Sequence, residues 1–103
     1  MNLDQTFSAL GDPKRRAILA RLTEGETTLS DIAAPFNMSQ TGVTRHVTIL
    51  SDAGLVSVTK RGRTRYCKLR AEPMKQAWDW LMDYQQFWDR NLQNLALHLE
   101  END

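Results

Sequence analysis

Hydrophobic residues recur at intervals of three or four along the first half of the chain, a spacing that predicts short amphipathic helices. Leu3 and Phe7 share one face of a first helix over about residues 3–10. A second helix is predicted to begin at Asp12, because aspartate is a favourable N-cap and the proline after it suits the first helical position. Thr28 is predicted to cap a third, shorter helix.

The fourth predicted helix has the clearest two-sided pattern. Ser39 is its expected cap, and the helix runs over about residues 39–53. At about 100° per residue, Val43, Val47 and Leu50 fall within one sector, whereas polar side chains cover the opposite side. The apolar face is therefore expected to pack in a small core, and the polar face is expected to be exposed and able to bind a partner.

The hydrophobic period changes after this helix. Residues 56–69 are rich in β-branched and aromatic residues on both sides of Gly62, which predicts a β-hairpin with a tight turn. A last helix with a broad apolar stripe is predicted over about residues 74–100. The element order, α-α-α-α-β-β-α, is typical of a winged helix-turn-helix, a mainly α fold with a small β-hairpin, and residues 1–103 are expected to form one such domain.

Composition narrows the possible function classes. The 103 residues are 41% hydrophobic and 25% charged, which is ordinary for a globular domain. No apolar run reaches the length of a membrane span and no signal-peptide pattern begins the chain, so no membrane partner and a cytoplasmic location are expected. A single cysteine, Cys67, excludes an intrachain disulfide. No catalytic motif is visible, so we expect neither an enzyme nor a cofactor.

The formal net charge of zero conceals a strong asymmetry along the chain. Residues 39–70 carry seven basic and one acidic side chain, a net charge of +6, whereas residues 71–103 carry two basic and seven acidic ones, a net charge of −5. A basic patch of this size can displace counterions from several phosphates. The sequence therefore predicts double-stranded DNA as a partner of the middle third.

The candidate DNA-binding residues lie in two segments, the first half of the fourth helix and the hairpin. An α-helix fits the major groove, where arginine, glutamine and threonine side chains contact base edges, while basic side chains of the hairpin can reach phosphates or the minor groove. The predicted set is Ser39, Gln40, Thr41, Thr44, Arg45, His46, Lys60, Arg61, Arg63 and Arg65.

Several of these residues have a second interpretation. Ser39 can serve as a helix cap, and His46 lies at the border of the inward sector, where it can pack within the domain. The cations at residues 14–16 oppose the dipole at the start of the second helix, so we expect at most one of them to bind a phosphate. Basic hairpin residues can also serve only to protect an exposed strand edge.

The apolar stripe of the last helix holds more aromatic side chains than a monomer of this size readily buries, which indicates a partner surface. A second copy of the chain is the simplest partner. The residues predicted at this dimer interface are Leu3, Phe7, Trp78, Phe87, Trp88, Leu92 and Leu95.

Three segments carry a resemblance to a known family. They are LDQTFSALGDPKRRAILARL, LSDIAAPFNMSQTGVTRHVTILSDAGLV and VTKRGRTRYCKL, and they resemble the ArsR family of bacterial winged-helix repressors. The resemblance covers essentially the whole chain. It implies a homodimeric repressor on an inverted-repeat operator, with the first and last helices forming the dimer contact.

Many members of the family that the chain resembles sense metals, but metal sensing is not predicted for this chain. The family's thiolate motif lies on the third helix, and the corresponding segment TTLSDIAAPF has no cysteine. His98 and Glu101 match one half of the family's histidine-carboxylate site, but Gln85 and Phe87 stand where its other ligands would be. The inducer stays unknown. A protein-docking winged helix, or a sensor with an unrecognised ligand site, remains an alternative.

Overall fold

The computed structural model describes residues 2–92. Its elements, in chain order, are α1 (Leu3–Leu10), α2 (Pro13–Leu22), β1 (Thr27–Thr28), α3 (Leu29–Ala33), α4 (Gln40–Asp52), β2 (Val56–Arg61), β3 (Thr64–Leu69) and α5 (Glu72–Met82). Residues 85–92 are helical again. The predicted fold class, a winged helix-turn-helix, is confirmed.

Side-chain caps begin the helices at the predicted residues. The carboxylate of Asp12 accepts from two amides of the first turn of α2, the Thr28 hydroxyl accepts from the Asp31 amide, and the Ser39 hydroxyl accepts from the Gly42 amide. Each cap satisfies a backbone donor that has no partner within its helix. The helix starts are therefore set locally by the sequence.

The hydrophobic core lies between the helices and the sheet. Fully buried side chains come from every layer, among them Ile18 of α2, Ile32 of α3, Val43 and Leu50 of α4, and Leu55 before β2. The inward face predicted for α4 is the buried one, since Val47 is buried as well. Burial of these side chains fixes α4 against α2 and α3, and leaves its polar face exposed.

The sheet has one strand more than the sequence indicates. β1 pairs antiparallel with β3, which also pairs with β2, so the strand order is β1-β3-β2. Two residues are too few for a periodic signal, and this strand is defined by its partner.

The prediction of a single long helix over residues 74–100 is wrong for the residues that the structure describes, because α5 ends at Met82. α5 begins at Glu72, and its last turn tightens, because the amides of Asp83 and Tyr84 bond to carbonyls three residues earlier. No glycine or proline marks this break, so no local pattern predicts it. Leu95, His98 and Glu101 lie outside the described residues.

Candidate nucleic-acid interface

An open groove of about 470 Å³ lies between α4, the start of α3 and the hairpin. Five of the predicted DNA-binding residues line it: Gln40, Thr41 and Thr44 from α4, and Arg63 and Arg65 from the hairpin. The structure therefore brings together side chains about 20 residues apart in sequence. Sequence reasoning missed four further lining residues, which are Thr28, Leu29, Ser30 and Thr64. The packing of β1 and α3 beside the hairpin places the first three there, whereas Thr64 lies in the hairpin itself, between Arg63 and Arg65.

Hydroxyl groups on α4 are oriented by the helix itself. The Thr44 hydroxyl donates to the Gln40 carbonyl at 2.8 Å, and the Thr48 hydroxyl donates to the Thr44 carbonyl at 2.9 Å. Each hydroxyl hydrogen is thus in use, so the oxygen is left as an acceptor. Arg45 is exposed on the same outward side of the helix.

The hairpin register places two cations side by side. Lys60 is directly opposite Arg65, two residues beyond the Val58–Cys67 pair. Since side chains alternate along a strand, both cations are on the sheet face that carries the buried Cys67. Like charges in this position repel each other, and an anion between them would relieve the repulsion.

The turn of the hairpin depends on Gly62. It has φ of +62°, and Arg63 follows it with negative φ, which is the pattern of a type II′ turn. A Cβ at Gly62 would meet no atom within 4 Å, so the requirement for glycine there is conformational rather than steric. The turn presents Arg63 at the tip.

Arg61 differs from the other hairpin cations. Its guanidinium forms an ion pair with Glu26, and it also stacks over the Tyr66 ring with 4.3 Å to the centroid. Both partners belong to this chain. Arg61 therefore braces the hairpin against the segment before β1.

The cations at the start of α2 contact the end of α1. The guanidinium of Arg15 donates to the Ala9 and Ser8 carbonyls at 2.7 and 3.1 Å, and that of Arg16 donates to the Leu10 carbonyl at 2.8 Å. These contacts neutralise the carboxyl end of α1, which explains why cations stand at the unfavourable end of α2.

Arg15 also reaches His46, with 3.3 Å between Nη1 and Nδ1. Asp12 lies beside this pair. Burial raises the pKa of Asp12, but the amides of Arg15 and Lys14 and the charges of His46 and Arg15 more than offset this, and the pKa is held below its usual value. Of the two interpretations of His46, packing within the domain is the one with a visible contact.

Cys67 is fully buried in β3. Burial, and to a smaller extent the negative charge of Glu26, raises the pKa of its thiol. Within residues 2–92, no three histidine, cysteine, aspartate or glutamate side chains are grouped so that they could hold a metal ion.

A cluster of aromatic side chains joins α1 to α5 and to the turn that follows α5. The Phe7 and Trp80 rings meet edge to face at 5.6 Å, and the Trp80 and Tyr84 rings do so at 5.3 Å. We call Phe7, Trp80 and Tyr84 the aromatic face. Phe87 and Leu92, further along the chain, are each 64% exposed. A single chain thus leaves much of its apolar surface in water.

The predicted interface residue Trp78 lies on a different side of α5 from the aromatic face. Trp78 is 59% exposed, but it lies about 200° from Trp80 around the helix axis. A surface that covers Trp80 therefore does not cover Trp78 by the same contact. The predicted interface did not include Trp80 and Tyr84; in the structure Trp80 packs on Phe7, and Tyr84 packs on Trp80.

Fold and groove together define a winged helix-turn-helix domain that binds DNA. The helix-turn-helix domain family matches residues 10–59. The transcriptional repressor SdpR of Bacillus subtilis is 32% identical over 82 residues, which cover 80% of this chain and 91% of SdpR. The arsenical resistance operon repressor of Bacillus subtilis is 34% identical over 70 residues, 67% of each protein.

Solved structures give the same result. A crystal structure of an ArsR family transcriptional regulator has a TM-score of 0.79 at 39% identity, covering 84% of this chain and 90% of that one. An ArsR-like transcriptional regulator from Rhodococcus sp. RHA1 has a TM-score of 0.75 at 26% identity, covering 96% and 91%. The chain belongs to the ArsR family and is a DNA-binding transcriptional regulator, not an enzyme. Among residues 2–92, no helix has the length and apolarity to cross a bilayer.

Proposed function

We propose that this protein is a homodimeric repressor that binds an inverted-repeat operator through α4 and the hairpin, in the cytoplasm. The observation that carries the proposal is the groove in which polar side chains of α4 and arginines of the hairpin face the same space. A helix inserted in the major groove would place the hairpin cations against the adjacent backbone.

The chemistry of the groove divides recognition between its two walls. Arg45 can donate two hydrogen bonds to guanine, and Gln40 can pair with adenine. Because its hydroxyl hydrogen is in use, Thr44 is suited to contact a thymine methyl group or to accept from a base amine. Arg63 and Arg65 face phosphates and supply affinity rather than sequence preference.

The homodimer is supported by the apolar surface that one chain exposes. Aromatic rings are enriched in the buried centres of interfaces, and the aromatic face together with Phe87 and Trp88 presents five of them, with Leu92 as a further apolar side chain. A twofold axis at this surface would give two copies of α4, and so two half-sites about one helical turn apart. Leu3, one turn before Phe7 on α1, is half-buried and lies at the rim of the proposed interface.

Operator binding is tested by selecting bound fragments of genomic DNA and measuring affinity for them as salt is raised. We expect log Kd to change steeply with log salt, and the slope to fall by about 0.9 for each phosphate contact removed. Arg63→Gln and Arg65→Gln should each reduce the slope, whereas Arg45→Gln should also relax base preference at one position.

Lys75→Gln is the matched control, because it removes an exposed cation from α5 rather than from the groove. If all four variants bound the fragments alike, the DNA interface would be elsewhere. If no fragment were selected and a protein partner were lost with Arg65→Gln, the domain would be a docking module instead.

The signal that relieves repression is not identified by the groove. Cys67 is the only cysteine of the chain and is buried, so it cannot provide several thiolates for arsenite within one chain. We propose that operator affinity does not respond to metals. A stoichiometric zinc or arsenite titration that changes this affinity would overturn that statement and favour a sensor.

A further inference from the structure

We propose that Arg15 is a positioning residue for operator recognition, which joins the carboxyl end of α1 to His46 and so fixes the orientation of α4. This inference rests on the proposed operator binding. It gives a role in DNA binding to a basic residue at the start of α2, a segment that takes no part in the proposed contacts of α4 and the hairpin with DNA.

The geometry connects three elements through one rigid group. Nε and Nη2 of Arg15 donate to the last turn of α1, while Nη1 contacts Nδ1 of His46 in the middle of α4. The guanidinium is planar, so its donors cannot move independently. A shift of α4 relative to α1 would break at least one of these contacts.

The contact indicates which tautomer a neutral imidazole adopts here. A guanidinium has only donors, so Nδ1 of His46 must be the acceptor, and the proton of the neutral ring is on Nε2. The sequence places His46 directly after Arg45 and two residues after Thr44. The Arg15 contact therefore holds α4 at the level of the side chains proposed to read bases.

The contact between Arg15 and His46 affects the dimer because α1 lies at the proposed interface. Phe7 of this helix packs on Trp80 in the aromatic face, where the proposed twofold axis lies. In a dimer, the distance and angle between the two recognition helices depend on how each α4 is attached to its own α1. Arg15 provides a direct polar attachment between these helices.

The experiment measures the operator affinity of the wild-type protein and its variants in one buffer. Arg15→Gln and His46→Ala should each weaken binding by roughly tenfold, the effect of one hydrogen bond to a charged group. His46→Asn, which keeps an amide oxygen near the position of Nδ1, should retain affinity. The effects of Arg15→Gln and His46→Ala should not add in the double variant.

One control separates positioning from folding. Arg16→Gln removes a cap of α1 without reaching α4, so it should leave affinity unchanged. Nitrogen NMR shifts of neutral His46 should show protonated Nε2 and unprotonated Nδ1, a signature that applies even if Arg15→Gln does not fold.

Two results would overturn the proposal. One is a His46→Asn variant that binds as weakly as His46→Ala, because the acceptor at Nδ1 would then not matter for affinity. The other is folded Arg15→Gln protein with wild-type affinity. In that case Arg63→Gln would still weaken binding, whereas a failure of operator binding itself would leave Arg63→Gln without effect.

Discussion

Lys60 and Arg65 lie directly opposite each other in the antiparallel hairpin, on the sheet face that also carries the buried Cys67. Two cations in this position repel each other, and the pair weakens the isolated hairpin. We interpret this repulsion as a cost of DNA binding, because phosphate between the two side chains would convert it into attraction.

Lys60→Thr is expected to make the protein more stable and a weaker DNA binder. Removing one like charge should raise the free energy of unfolding by roughly 0.2–1 kcal/mol, with the smaller value at high salt because the pair is exposed. Urea denaturation checks the first effect and operator titration the second. Lys68→Thr is the control, since Lys68 is opposite Ser57 on the other face. Equal responses of the two variants would contradict the role of the register.

Gly62→Ala should destabilise the hairpin without creating a clash. The alanine would have to adopt φ of +62°, which costs roughly 1–2 kcal/mol for a residue with a Cβ, and nothing within 4 Å adds a steric term. Arg63 would shift with the turn, so operator affinity should fall too. Gly62→Asn should lose less, because asparagine tolerates positive φ. Thermal unfolding measures the difference; equal losses for both variants would argue against a conformational cause.

Cys67 is expected to react slowly with thiol reagents in the native protein and quickly after unfolding, since it is fully buried. Its folded pKa is raised above the unfolded value. The thiol therefore contributes stability that is complete below the unfolded pKa and is lost as the pH rises through the folded one. Stability curves of wild type and Cys67→Ala should converge in mild alkali. Rapid native labelling that weakens operator binding would show instead that the thiol is accessible and regulatory.

Phe87→Glu should convert the proposed dimer into monomers, because it puts a charge on an exposed apolar position three residues after Tyr84 of the aromatic face. Sedimentation equilibrium gives the association constant directly. Trp78→Glu is a control of similar exposure on another side of α5, and it should leave the dimer intact. A monomeric wild-type protein, or equal dissociation by both variants, would show that the interface is elsewhere.

Comparison of α4 with α5 shows which features follow from local sequence. The bounds of α4 were predictable because Ser39 caps its first turn and Val43, Val47 and Leu50 repeat at the helical period. The break after Met82 was not, because no glycine or proline marks it and the tightened last turn is made by backbone hydrogen bonds. The apolar stripe of residues 74–100 therefore predicted one helix too long.

The sequence by itself determined the caps, the helix periods, the hairpin and the concentration of positive charge in residues 39–70, since all of these depend on residues close together in the chain. The tertiary structure decided which of those charges are available. It paired Arg61 with Glu26, 35 positions away, and directed Arg15 to α1 and to His46, 31 positions away. Strand register and helix packing determine these long-range contacts, and no local pattern encodes them. The same packing left Arg63 and Arg65 facing α4 across one groove.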